Sequence, residues 1–302
     1  MCQQPSAFLP SLRPRPNSHV LTAAFARIDA ILPLSDPLEV RYTTNWLTRL
    51  LSNSSEEHAS LNDSAARLLI LLTAGTAGSG DHTKQYDFAN PTGNLSISIK
   101  ETNIADGIGH RTWGSAPLLA RLMAASPSSF GLDSQSTLRI LELGSGTGLV
   151  GLTIAKLLLP SNASSRIVLS DYHEATLDNL RANVKTNGCD AVAKVQKLDW
   201  RHAYCDETYD IIVAADVTYE LDLIPLIVSS VSQHLKKGGV FHLMMPVRKR
   251  HEAEISAVQA AFDASDFSNK LVAVTSLMYS STDDTGTLDY QLVTIKFRAD
   301  HR

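Results

Sequence analysis

Four carboxylates in this chain sit within or directly after short apolar runs: Glu142 in Leu138–Leu143, Asp171 after Arg166–Ser170, Asp199 after Val192–Leu198 and Asp216 after Ile211–Ala215. The first run continues as Gly144-Ser145-Gly146-Thr147-Gly148 and then into a second apolar stretch reaching Leu158. Alternate glycines let the backbone turn tightly and approach a ligand without side chains in the way, with the free N–H groups of a helix start behind them. That is nucleotide-type chemistry. A second register, Gly146, Gly148 and Gly151, has the dinucleotide spacing Gly-x-Gly-x-x-Gly; the first fits better because it begins directly after the strand and has Glu142 two residues before it. Asp171, roughly twenty residues past the glycines, is placed to accept hydrogen bonds from ribose hydroxyls, or else to cap the helix after it. Asp199-Trp200 can hold an adenine, the carboxylate taking the exocyclic amine and the indole packing on the ring; the alternative is a surface Asp beside a core Trp.

For these groups to meet, each apolar run must be a strand ending on one edge of a sheet. Leu138–Leu143 and Arg166–Ser170 have strand length, and Ile211–Ala215 is apolar throughout, which predicts a central strand. Helices are expected from Leu149 onward, over Leu177–Val184, and from about Leu223 to Leu235, the last stopping at Lys236-Lys237-Gly238-Gly239. Val240–Met245 reads as the fifth strand, Glu252–Phe262 as a helix, and Leu271–Met278 and Tyr290–Phe297 as two strands around a polar turn. Upstream, Tyr86–Phe88 and Leu95–Ile99 predict a hairpin, and a helix follows Trp113. This alternation predicts an α/β fold, a doubly wound sheet closed by a C-terminal antiparallel strand pair. In such sheets the ligand lies at the carboxyl ends of the strands where their order reverses.

Composition narrows the partners. Among 302 residues, 27 basic and 31 acidic side chains give a formal charge of −4, which argues against a nucleic-acid-binding surface and for a small or protein substrate. Cys2, Cys189 and Cys205 have neither metal-ligand spacing nor a paired framework, so a reducing compartment, the cytoplasm or the nucleus, is expected. Runs such as Leu68–Leu72 are too short to cross a bilayer, and no signal-peptide core follows Met1, so no membrane partner is expected. The histidines lie on separate elements, and no metal is expected. By composition residues 1–20 form a disordered tail, 21–83 a helical N-terminal extension and 84–302 the ligand-binding domain; a monomer is expected.

Trp113, E-L-G-S-G-T-G, S-D-Y-H-E-A-T-L-D-N-L-R-A-N, L-D-W and A-D-V-T-Y, in this order, resemble the seven-strand methyltransferases that use S-adenosylmethionine (SAM), and within them the protein-lysine methyltransferase group called methyltransferase family sixteen. The similarity covers roughly Lys84 to Phe297, and fungal enzymes acting on translation elongation factors look closest. The resemblance implies a Rossmann-like sheet, SAM as cofactor and a protein substrate. It further implies SAM contacts from Trp113, Gly144, Ser145, Gly146, Asp171, Trp200 and Ala215, with Glu142 and Gly148 in the same motif. Asp216 and Tyr219 would then face the substrate amine; alternatively Asp216 caps the helix beginning near Leu221 and Tyr219 packs in the core. A small-molecule N-methyltransferase and a non-catalytic SAM-binding protein remain open on the same fold.

Overall fold

The computed structural model describes residues 4–32, 34, 36–52, 59–77, 81–102, 109–132, 136–161, 164–202, 207–218, 222–247, 258, 260–262, 271–283 and 286–297. By contacts the chain divides into two compact units, Met1–Gly80 with Thr282–Thr287, and Asp81–Ser281 with Leu288–Arg302.

The N-terminal unit contains α1 (Ser18–Ala30), α2 (Pro37–Ser52) and α3 (Ala59–Ala77). Asn17 starts α1 by accepting the Val20 N–H with its side chain, a standard N-cap. Leu21, Phe25 and Ile28 meet Trp46, Leu47, Leu50, Leu68 and Leu72 in a core of its own. Residues 4–16, read from composition as part of a tail, are anchored to this unit: Leu9 is buried, the Trp46 indole N–H donates to the Pro10 carbonyl at 2.8 Å, and Glu39 receives the Ser6 N–H and hydroxyl.

The second unit begins with an antiparallel hairpin of β1 (His82–Asn90) and β2 (Gly93–Glu101), followed by α4 (Ser115–Ala125). Then come β3 (Arg139–Leu143), α5 (Leu149–Ser161), β4 (Arg166–Asp171), α6 (Glu174–Thr186), β5 (Ala193–Lys197), β6 (Tyr209–Ala215), α7 (Leu223–His234), β7 (Leu235–Val247), β8 (Leu271–Asp283) and β9 (Gly286–Phe297). The seven-strand sheet has the order β5-β4-β3-β6-β7-β9-β8. β3 pairs in parallel with β4 and β6, β6 in parallel with β7, and β9 antiparallel to β7. The fold is therefore the doubly wound sheet with a C-terminal antiparallel pair.

Because successive side chains on a strand face opposite ways, each strand feeds two cores. Ile140, Ile167, Ile211 and Val213 join one with α4, α5 and α6, while Leu141, Leu143, Ile212 and Ala214 join the other with α7 and Phe262. Glu142 falls on the first face, flanked along its own strand face by Ile140. β8 and β9 are longer than expected, running to Asp283 and from Gly286 through residues read as a polar turn, and the start of β7 differs as well. Lys236-Lys237-Gly238-Gly239 lies within β7 rather than before it: Tyr209 pairs with Leu235 and Ile211 with Val240, so the run bulges out, with Gly238 at φ +84 and Lys236 paired to Asp210 at 2.8 Å. Of the helix expected over Glu252–Phe262, residues 258 and 260–262 are described and helical; the rest lies outside the described residues.

Candidate cofactor and active site

β3 and β6 are neighbours, yet the chain leaves β3 toward β4 and β5 and returns to β6 on its other side. Their carboxyl ends form the switch point of the sheet. There Gly144, Gly146 and Gly148 adopt φ of +64, +53 and +88, which L side chains rarely take. A Cβ on Gly144 would meet Val217 Cγ1 at 2.8 Å and the Trp200 ring at 3.4 Å, and one on Gly146 would lie 3.4 Å from the Gly109 carbonyl oxygen. The turn is pinned by the Ser145 N–H to the Ser170 carbonyl (2.8 Å) and the Gly148 N–H to the Ser145 carbonyl (2.8 Å). Gly151 has a separate purpose: its missing side chain leaves room for the Glu142 carboxylate, which lies where a Cβ would be.

A narrow cleft opens over this turn. Trp113, Glu142, Gly144, Ser145, Gly146 and Ala215 line it together with Arg111, Thr112, Ala116 and Thr147. Glu142 is 3% exposed, its Oε2 has no partner at full hydrogen-bond geometry among the described residues, and burial, offset only in part by the nearby Ser145 hydroxyl and Gly151 N–H, pushes its carboxyl up to about 8. Ser145 Oγ is likewise buried and unpartnered. An orphaned carboxylate oxygen and hydroxyl beside a glycine turn suit a ligand that brings hydrogen-bond donors and positive charge. The ammonium and sulfonium of SAM supply both, so the residues present fit this cofactor.

Asp171, at the end of β4, turns back onto the glycines. Its Oδ2 accepts the Gly146 N–H at 3.0 Å, and its Oδ1 accepts the N–H groups of Tyr172 (2.7 Å) and His173 (3.2 Å). Asp171 thus fixes the glycine turn together with the two residues that lead into α6, whose N-cap position, His173, makes no side-chain cap bond. Asp199 is committed differently: both oxygens receive Arg201, Nε at 2.9 Å and Nη2 at 2.8 Å, and this pairing holds its carboxyl below the usual carboxylate range. Trp200 packs beside Gly144 and Val217.

Residues 92–261 match the family described as lysine methyltransferase, more than half of the chain. The chain belongs to the lysine methyltransferase family. Among curated relatives it is 29% identical to the protein-lysine N-methyltransferase EFM2 of Saccharomyces cerevisiae over 65% of this chain and 51% of that one. It is 25% identical to the protein-lysine N-methyltransferase rrg1 of Schizosaccharomyces pombe over 77% and 78%, and 29% identical to human protein-lysine N-methyltransferase EEF2KMT over 61% and 57%. The chain spans about half the length of EFM2.

In this member of the family Asp216 follows β6 with φ +58, a conformation Asp tolerates better than most residues. Its two oxygens accept the Ser115 N–H at 2.8 Å and the Ser115 hydroxyl at 2.6 Å. Asp216 therefore caps α4, which arrives from 101 residues earlier; residues 219–221, where the other helix was expected to begin, lie outside the described residues. The same bond places Trp113 and Ala116, on either side of Ser115, in the cleft wall. Tyr219 lies outside the described residues. Arg111, Thr112, Ser115 and Thr147 were not singled out in the sequence. Arg111, Thr112 and Ser115 flank Trp113 and Thr147 lies between two of the glycines, so proximity to a motif was the available signal.

Proposed function

We propose that this protein is a SAM-dependent protein-lysine N-methyltransferase whose target is a translation elongation factor, met in the cytoplasm. The observation that carries the reading is Glu142, a buried carboxylate with an orphaned oxygen beneath a glycine turn at the switch point, in a member of the lysine methyltransferase family. The target class rests on the sequence resemblance, supported by relatives named protein-lysine N-methyltransferases.

When bound, SAM supplies an electrophilic methyl group on a positively charged sulfur. Glu142 and Ser145 would hold its amino-acid end, Gly144 and Gly146 leave the backbone open to it, and Asp171 Oδ2, which accepts a single N–H, has a lone pair left for a ribose hydroxyl. Trp113, Trp200 and Ala215 wall the adenosyl and sulfonium region, Gly148 completes the turn, and Asp199 shapes the Trp200 turn through Arg201. Methyl transfer is an in-line displacement, so the protein mainly contributes orientation. A lysine amine, with an ordinary pKa of about 10.4, is neutral in roughly one molecule per thousand or fewer at pH 7. Asp216 draws the ammonium to the rim, where it loses its proton to water before reacting, and Tyr219, three residues on in the sequence, is the second residue assigned to the substrate amine.

Purified protein incubated with methyl-labelled SAM and host-cell lysate, then resolved on a gel, tests this. A discrete labelled protein band is expected. Label confined to small molecules, or SAM bound without transfer to anything, refutes it.

A further inference from the structure

Asparagines 179, 183 and 187 recur every four residues along and just beyond α6, in a stretch that the function above leaves without a purpose. That spacing puts them on one face. The face lies along the edge of β2 that β1 does not occupy, in a sheet of two strands. Asn187 accepts the Ser98 N–H at 3.0 Å and donates to the Ser98 carbonyl at 2.7 Å. Asn183 does the same for Lys100, accepting its N–H at 2.9 Å and donating to its carbonyl at 3.1 Å, and Asn179 adds a bond to that carbonyl at 2.9 Å. Two side-chain amides thus imitate two residues of a neighbouring strand and satisfy the open edge.

Asn183 does one thing that Asn187 does not. Its amide also donates to the Thr147 carbonyl at 2.9 Å, inside the glycine turn, and Asn183 is 1% exposed. The Thr147 hydroxyl meets the Thr112 hydroxyl at 2.8 Å, and the Thr112 N–H reaches Glu101 Oε1 at 3.2 Å. Thr147 is therefore held at its carbonyl and at its hydroxyl by two groups that both return to Lys100-Glu101, the end of β2.

We propose that Asn183 is a positioning residue for the cofactor turn, fixing Thr147 so that the hairpin sets the shape of the glycine cradle. This rests on the reading of that turn as the SAM site. The matched control is Asn187, which makes the same clamp on β2 but no bond to the turn.

Two measurements on the full chain test it: calorimetric SAM affinity, and hydrogen exchange at the Ser145, Gly146 and Gly148 amides without SAM. Asn183→Ala and Asn187→Ala should lower the melting temperature by similar amounts. Asn183→Ala alone should weaken SAM binding about tenfold and speed exchange across the turn. Asn183→Asp, which points lone pairs at both carbonyls, should be worse than Asn183→Ala. Should Asn183→Ala fail to melt cooperatively, Asn183→Ser, which keeps one donor, carries the same comparison. Unchanged affinity and unchanged exchange in a folded Asn183 variant, or equal losses in Asn187→Ala, overturn the proposal. If the unmutated protein binds no SAM, the cofactor reading fails, while the exchange difference between the two variants still decides whether Asn183 holds the turn.

Discussion

Glu142 gives the sharpest test of the site, because the feature that fits it to a cation destabilises the protein without one. Burial raises its carboxyl from 4.5 in the unfolded chain to about 8 in the fold. Between those values the unfolded chain has released a proton that the folded chain retains, so stability falls as pH rises through the window and levels off above it. The full drop is roughly 5 kcal/mol, at about 1.36 kcal/mol for each pH interval of one. Glu142→Gln keeps the shape and removes the titration. The new amide hydrogens cost about 1–3 kcal/mol if they stay unpaired, so at pH 8.5 the variant should be about 2–4 kcal/mol more stable than the parent, and at pH 5 no more stable. Urea unfolding of both proteins at half-unit steps from pH 5 to 8.5 measures this. Cofactor affinity should run the other way. If the ionised carboxylate receives the SAM ammonium, affinity in the parent rises up to about tenfold per pH unit below 8, and Glu142→Gln is weak and nearly flat. Parallel stability profiles for the two proteins, or equal SAM affinities at pH 7.5, refute the reasoning.

Asp171→Ala should weaken SAM binding roughly ten- to a hundredfold, since it removes a charged acceptor together with the anchor of the Gly146 N–H; calorimetry on the folded variant decides. Gly146→Val should abolish binding in the same titration, because φ +53 disfavours a branched residue and the added Cβ would press toward the Gly109 carbonyl. Asp216→Asn can still accept the Ser115 N–H and donate to its hydroxyl, so melting temperature should hold while methyl transfer falls. Asp216→Ala should lose about 1–2 kcal/mol of stability as well, and full activity in folded Asp216→Asn removes the charge from the mechanism.

The parts of this molecule legible in its sequence are those governed by local rules. Apolar runs ending in Gly or Asp marked β3, β4 and β6 because parallel strands bury both faces, and the glycine turn followed because β3 must hand over to α5 within a few residues. What composition hid was pairing across distance. The proline-rich start looked unable to fold, yet the Pro10 carbonyl finds Trp46 thirty-six residues on and Ser6 finds Glu39, and one buried leucine with three hydrogen bonds is invisible to a compositional average. Asp199 was read as an adenine acceptor although Arg201, two residues away, satisfies it. α7 does stop at His234, as the lysines and glycines after it suggested, but the Lys236–Gly239 run is a bulge inside β7 and not a loop before it, held by the Lys236 bond to Asp210.

Asp216 shows why the choice between a cap and a site residue was poorly posed. Both its oxygens serve Ser115, and the start of α4 lends further positive character there, so part of the carboxylate's charge is already offset. A free buried carboxylate would bind an ammonium tightly and keep it protonated, which is the wrong state for an amine that must attack. One already engaged by a helix start attracts the charge and orients it while holding its proton less firmly. The cap also carries Trp113 and Ala116 into the cleft wall, so the bond that tempers the carboxylate is the one that completes the site around it.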